Sequence, residues 1–283
     1  MYQLRPPSPA LAAYIESYWF VEPDPDPVDL GVDVFVDGRA DLILNFGVPY
    51  TRRVIGGAAT EHAGSNLDAQ RLVPIRIEQR GRVHLVGVRF RLGGVGPFVR
   101  QELRPFTGAT PTPSAVFGPG VEAVEAAVAA LDPDAAAARL DAFFLESLRL
   151  DAGRPGFERA LAALTASDGR AEVADVAAAA GASVRQVDRW FARQLGIPPK
   201  VVGRILRFQA ALRALMRDPG CPLADVALAA GYFDQAHFIR DFRRMSGGVP
   251  RGYRGYFPPA GPADFAPNVV VFVQDGRGKS KRR

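Results

Sequence analysis

The sequence predicts an α+β chain in two parts: an N-terminal β-barrel or sandwich of cupin-like type with a helical hairpin, then an all-α domain with two helix-turn-helix units. Three observations carry this. Short apolar runs separated by turn residues occupy the stretch up to Gly94, the apolar period lengthens to that of a helix from about Val121, and one pattern recurs between Val173 and Pro250. At 283 residues the chain is long enough for two domains. Its 48% apolar and 23% charged residues are an ordinary globular balance.

In the first part the strand-like stretches are Ser17 to Val21, Val32 to Val36, Leu42 to Phe46, Arg52 to Ile55, Arg71 to Ile77 and Arg82 to Leu92. Asp37-Gly38, between the second and third, suits the positive φ of a tight turn and predicts a β-hairpin. Gly93-Gly94 ends the run. Val124, Val128 and Leu131 recur at helical spacing, Asp132-Pro133 breaks the pattern, and Leu140, Phe143, Phe144 and Leu148 resume it, which predicts a helical hairpin. Its apolar stripes exceed what a lone hairpin hides, so it is a candidate dimer contact.

Arg154-Pro155-Gly156 combines polar and helix-breaking residues and places a boundary near 152–157. The expected division is therefore 1–152, 157–256 and a tail over 257–283. The net charge of +5 is uneven across it. Residues 1–156 hold 15 basic and 19 acidic side chains, residues 157–256 hold 15 and 9, and the last 27 residues hold 5 and 2. A basic second half beside a slightly acidic first half points to a polyanion as partner of the second half alone.

The single cysteine, Cys221, excludes an intramolecular disulfide framework and multi-cysteine metal sites within one chain, and points to a reducing compartment. No apolar run approaches the roughly 18 residues of a spanning helix, and Arg5, the nearby prolines and Glu16 interrupt any signal-peptide pattern. A cytoplasmic protein with no membrane partner is expected.

The strongest signal is internal. Val173-Ala-Asp-Val-Ala-Ala-Ala-Ala-Gly181 matches Leu223-Ala-Asp-Val-Ala-Leu-Ala-Ala-Gly231 at seven of nine positions. After one inserted residue, Arg189, Phe191, Arg193, Gly196 and Pro199 recur as Arg240, Phe242, Arg244, Gly247 and Pro250. Each copy reads as a short helix, a glycine turn and a second helix opened by an N-cap oxygen from Ser183 or Asp234. In the second helices Val187, Phe191 and Leu195, or Phe238, Phe242 and Met245, form a buried seam. That turns Arg185, Gln186 and Arg189 in one copy, and Gln235, His237 and Arg240 in the other, towards the exposed N-terminal half.

These residue types suit base reading, since Arg pairs with guanine O6 and N7 and Gln with adenine N6 and N7. Between the copies, Val201 to Arg217 carries Ile205, Phe208, Leu212 and Leu215 on one face and predicts a helix about 25 Å long. Such a spacer holds two recognition helices on adjacent major grooves, roughly 34 Å apart. The terminal Arg277-Gly-Lys-Ser-Lys-Arg-Arg283 adds phosphate contacts without specificity. The Val269 to Val273 run before it is strand-like and is expected to pair with the N-terminal sheet.

Val176-Ala-Ala-Ala-Ala-Gly-Ala-Ser183, Val187-Asp-Arg-Trp-Phe191 and Gly196-Ile-Pro-Pro199 resemble the first half of an AraC/XylS-family DNA-binding domain. Asp225-Val-Ala-Leu-Ala-Ala-Gly-Tyr-Phe-Asp-Gln-Ala-His-Phe-Ile-Arg-Asp-Phe242 with Gly248-Val-Pro-Arg-Gly-Tyr253 resembles its second half. The resemblance implies base contacts from both recognition helices. Asp188 departs from the usual neutral or basic choice there, which implies weaker binding or reading of a cytosine amine. Pro9 to Phe20, Asp37 to Gly47 and Gly87 to Gly94 are similar to a β-rich domain of uncharacterised function that precedes this module in some regulators, and Asn268 to Asp275 resembles the C-terminal tail of that subgroup.

The resemblance implies a regulator that binds double-stranded promoter DNA, with RNA polymerase, a small-molecule effector and a second copy of the chain as further partners. It calls for no cofactor, metal or catalytic residue. Two rival readings stay open: a cupin-like metal enzyme fused to a DNA-binding module, and a sequence-independent architectural DNA binder. His62 and His84 lack the third ligand that the first rival needs. Gly93-Gly-Val-Gly96 fits no phosphate-loop template, and Cys221 before Pro222 suits a loop or capping role.

Overall fold

The computed structural model describes residues 2–21, 28–58, 60–150, 153–253 and 269–270. The N-terminal strands are β1 (Tyr2–Arg5), β2 (Ile15–Val21), β3 (Val28–Val34), β4 (Asp41–Asn45), β5 (Tyr50–Val54), β6 (Thr60–Ala63), β7 (Asn66–Asp68), β8 (Ile75–Gly81) and β9 (Leu85–Phe90). With β10 (Val269–Val270) they make two sheets, β1-β2-β9-β4-β7 and β10-β3-β8-β5-β6, antiparallel throughout. The sheets form a sandwich and do not close into a barrel.

Strand alternation gives the first sheet two apolar faces. Tyr18 and Phe20 of β2, Leu42 and Leu44 of β4, and Val86, Val88 and Phe90 of β9 pack against α1 (Pro113–Phe117), α2 (Gly120–Val128) and α3 (Pro133–Ser147). On the reverse face Trp19, Ile43 and Leu85 meet Tyr50, Ala63 and Ile77 of the other sheet. Helices α2 and α3 are the expected hairpin, and the Asp132 carboxylate caps α3 by accepting the Asp134 and Ala135 N–H groups at 3.0 and 2.9 Å.

The hairpin expected at Asp37-Gly38 does not form. β3 pairs with β8 and β10 in one sheet, whereas β4 pairs with β9 and β7 in the other, so the connection crosses between sheets. Gly38 keeps the left-handed conformation (φ +73°) that suggested a turn. The ladder ends because Phe35 and Val36 are fully buried in the core of the helical half, and that burial outweighs continued pairing. Arg71 to Pro74, read as the start of a strand, precedes β8, because the Arg71 side chain is drawn into ion pairs with Asp68 and Asp37.

The helical half comprises α4 (Arg154–Ala166), α5 (Val173–Ala179), α6 (Val184–Gln194), α7 (Pro199–Arg217), α8 (Leu223–Ala229) and α9 (Gln235–Ser246), closed by a 3₁₀ turn over Pro250–Tyr253. Its core holds Phe157, Phe191, Phe208, Phe238 and Phe242, all fully buried. Arg154, Pro155 and Gly156 open α4. The Arg154 guanidinium is buried, lies 5.1 Å over both the Tyr14 and Phe157 rings, and donates to the Gly93 carbonyl at 2.9 Å. Val269 and Val270 pair with Val34 and Asp33 of β3. The basic terminal segment and Val271 to Val273 lie outside the described residues. No helix among the described residues is long and apolar enough to cross a membrane.

Candidate DNA interface

Both repeat copies fold as helix, turn, helix: α5 and α6, then α8 and α9. Gly181 (φ +65°) and Gly231 (φ +78°) make the turns in the left-handed conformation, which a glycine adopts without steric cost. In the first copy the Ser183 hydroxyl accepts the Gln186 N–H at 3.3 Å, and the Gln186 side-chain oxygen accepts the Ser183 N–H at 2.9 Å. This capping box fixes the start of α6. In the second, the Asp234 carboxylate accepts the His237 N–H at 2.6 Å and starts α9.

The seams fall where the repeat places them: Val187, Phe191 and Leu195, and Phe238, Phe242 and Met245, are buried. Arg185, Arg189 and Asp188 on α6, and Gln235 and Arg240 on α9, are exposed. Arg185, Arg189 and Arg240 have no ion-pair partner among the described residues. Gln186 is exposed, but its carbonyl oxygen is committed to the cap. His237 is half-buried, set edge-on to the Tyr232 ring with centroids 5.2 Å apart, and its Nε2 lies 3.8 Å from Asp241. Both rings of that pair belong to α9 and the turn before it.

Asp241, unremarked in the sequence, orients α9. It is buried and receives Arg204 of α7 at 2.7 Å, and this hydrogen bond raises the basicity of Arg204 further. His62 lies on edge strand β6 and His84 packs on Phe46 ahead of β9, and among the described residues no group of three or more His, Cys, Asp or Glu is arranged to hold a metal.

The other ends of the two recognition helices are held by the N-terminal half and, at Gln194, by Arg154 of α4. The Leu103 N–H donates to the Arg193 carbonyl at 3.1 Å, Thr107 Oγ1 donates to the Gly196 carbonyl at 2.9 Å, and Arg154 reaches Gln194 Oε1 at 3.3 Å, all at the end of α6. At the end of α9 the Val36 N–H donates to the Met245 carbonyl at 3.1 Å. Gln209 of α7 donates to the Val36 carbonyl at 2.7 Å, and the Phe35 and Phe208 rings meet edge-on.

Beneath Phe35 and Val36 lies a buried charge cluster. Arg89 donates to Asp37 at 2.7 Å and to Asp41 at 2.9 Å, Arg71 pairs with Asp68 and Asp37, and Arg52 pairs with Asp68 at 3.6 Å. Burial alone would push the Asp37 carboxyl up, but the guanidinium groups of Arg89, Arg71 and Arg39 outweigh it and hold Asp37 below the ordinary carboxylate range. For Asp68 burial wins over Arg71 and Arg52, and its affinity for a proton rises.

Two capped recognition helices presented in register, with free arginines at matching positions on a basic half, define a DNA-binding transcriptional regulator. Residues 176–256 match a family described as a helix-turn-helix domain, and residues 3–111 match a domain of unknown function (DUF6597). The chain thus carries an AraC-type helix-turn-helix domain, with a β-rich domain of unknown function in front of it.

Among solved structures, the chain is similar to a transcriptional regulator with an AraC-type DNA-binding domain from Chromobacterium violaceum (26% identity over 39% of this chain and 100% of that one, TM-score 0.36). It is also similar to a probable AraC family transcriptional regulator from Rhodopseudomonas palustris CGA009 (26% identity, 37% of this chain and 98% of that one, TM-score 0.33). ToxT from Vibrio cholerae matches over 90% of this chain and 98% of its own at 9% identity, TM-score 0.42. No curated protein matches the chain.

Proposed function

We propose that the protein binds promoter DNA at two half-sites in adjacent major grooves of one duplex face, α6 entering one groove and α9 the next. The observation that carries this is the matched pair Arg189 and Arg240, both exposed at equivalent positions of two capped helices. Arg185, Gln186, Gln235 and His237 complete the reading set, with Gln186 donating only through its amide nitrogen and His237 through a ring held by Tyr232. Helix α7, with 19 residues and so about 28 Å long, separates the two units. Bound genomic fragments selected with the full chain test the reading: enrichment of one motif with two half-sites about one helical turn apart is expected, and enrichment of random fragments overturns it.

The same reading assigns residues 1–152 to sensing or dimerisation and 157–256 to DNA, in a cytoplasmic protein that performs no chemistry. What supports a modulating role is the grip of the sandwich on the C-terminal ends of both recognition helices, since a shift of Val36 or Leu103 moves a helix that meets DNA at its other end. Exposed Leu131 and Leu145 on the helical hairpin support a contact with a second copy. Sedimentation at increasing concentration checks this, and a monomer throughout sinks the dimer.

A further inference from the structure

Packing leaves one aromatic of the second helix-turn-helix unexplained. Phe233 is 93% exposed and directly precedes Asp234, the N-cap of α9. An apolar residue in that place ordinarily folds back onto the fourth residue of the helix. Here that residue is Phe238, which is fully buried between Tyr232 and Phe242 and leaves Phe233 outside the core. The first copy carries Ala182 at the same place, and Ala182 packs against the core. The Phe233 ring is therefore offered to solvent at the end of α9 that enters the groove, beside Gln235, on a half of the chain whose charge suits DNA.

We propose that Phe233 is a specificity-determining residue that lays its ring against the C5-methyl group of a thymine at the edge of the α9 half-site. This rests on the DNA-reading function above. The thymine methyl is the apolar mark of the major groove, and an aromatic ring contacts it without needing a hydrogen bond. Phe233 thereby extends the half-site by a base that Gln235 and Arg240 do not reach with polar contacts. The first helix-turn-helix, with Ala182, carries no matching preference.

The test uses the full-length protein and Phe233→Ala. A motif is first selected with the wild type from randomised duplexes, and each thymine in it is then replaced singly by deoxyuridine, which removes only the methyl group. One replacement in the α9 half-site is expected to weaken wild-type binding about fourfold, the scale of uncovering one apolar carbon. Phe233→Ala is expected to bind the thymine and uridine duplexes alike, at the wild type's uridine level, with an unchanged melting temperature. The proposal is overturned if the variant keeps wild-type affinity and the full thymine effect. It is also overturned if the variant loses affinity equally on all sequences. A wild type that selects no motif overturns the DNA-reading function itself, an outcome distinct from both.

Discussion

The Val36 N–H donates a 3.1 Å hydrogen bond to the Met245 carbonyl, joining the loop that leaves β3 to the last turn of the second recognition helix. Phe35 beside it shares one apolar core with Phe208 and Phe242. The sandwich and the DNA-binding helices are expected to unfold together. Phe35→Ala should cost about 3–5 kcal/mol, the usual range for a buried Phe, and split a single calorimetric transition into two. Gln209→Leu removes the donor to the Val36 carbonyl and should cost about 1–3 kcal/mol. A single unshifted transition in both variants contradicts the coupling.

Arg240→Ala and Arg189→Ala separate the two half-sites. Each should lose about 1–3 kcal/mol of discrimination at one base pair of its own half-site and leave the other unchanged, read as competition between the selected motif and single-base variants. An even loss across all sequences marks the arginines as phosphate contacts. Asp188→Asn should strengthen binding of the first half-site by removing a negative charge from the α6 face.

The Arg204–Asp241 pair fixes α9 against α7. Arg204→Met leaves the buried Asp241 carboxylate without its guanidinium and should cost about 3 kcal/mol, the low end for a broken buried pair because Arg204 keeps 26% of its side chain exposed. Asp241→Asn keeps a hydrogen-bond acceptor for Arg204 and should cost less. In footprints, the variants should weaken protection of the α9 half-site before that of the α6 half-site.

Alkaline pH should destabilise the fold through its phenols. Burial is the main cause that holds Tyr18, Tyr50 and Tyr232 above the ordinary tyrosine range, and it moves Tyr2 up to about 12. Because the folded values are raised, this stability is fully present below pH of about 10, where free phenols ionise, and is lost as pH rises beyond it. The phenolate absorbance of these four tyrosines should appear together with the unfolding signal, and the full absorbance of all seven tyrosines reached while the fold stays intact contradicts this.

The recognition units were legible because their signals are local: glycine turns, N-cap oxygens and a repeat that places Arg189 and Arg240 in register. The α2–α3 hairpin was legible from its period and from the Asp132-Pro133 break. What escaped the sequence depends on distant partners. Phe35 and Val36 read as the end of a strand because nothing local marks their burial against Phe208, more than 170 positions on. The Asp37-Gly38 hairpin failed for the same reason. Nothing local marks Arg52, Arg71 and Arg89 as interior; the facing carboxylates of Asp37, Asp41 and Asp68 do. Strands β1, β6 and β7 are three or four residues long and carry no alternation strong enough to register.

On the proposed reading α6 and α9 meet the groove at their starts, while their finishes are held by backbone and side-chain partners from the N-terminal half and α4. Thermodynamic linkage makes this traffic two-way. Whatever factor a molecule bound to the sandwich imposes on operator affinity, the operator imposes the same factor on that molecule. Bound DNA therefore serves as a reagent for testing the proposed modulation, since a compound that binds the sandwich and moves the Val36 or Leu103 grip should show unequal affinity for the protein–DNA complex and the free protein.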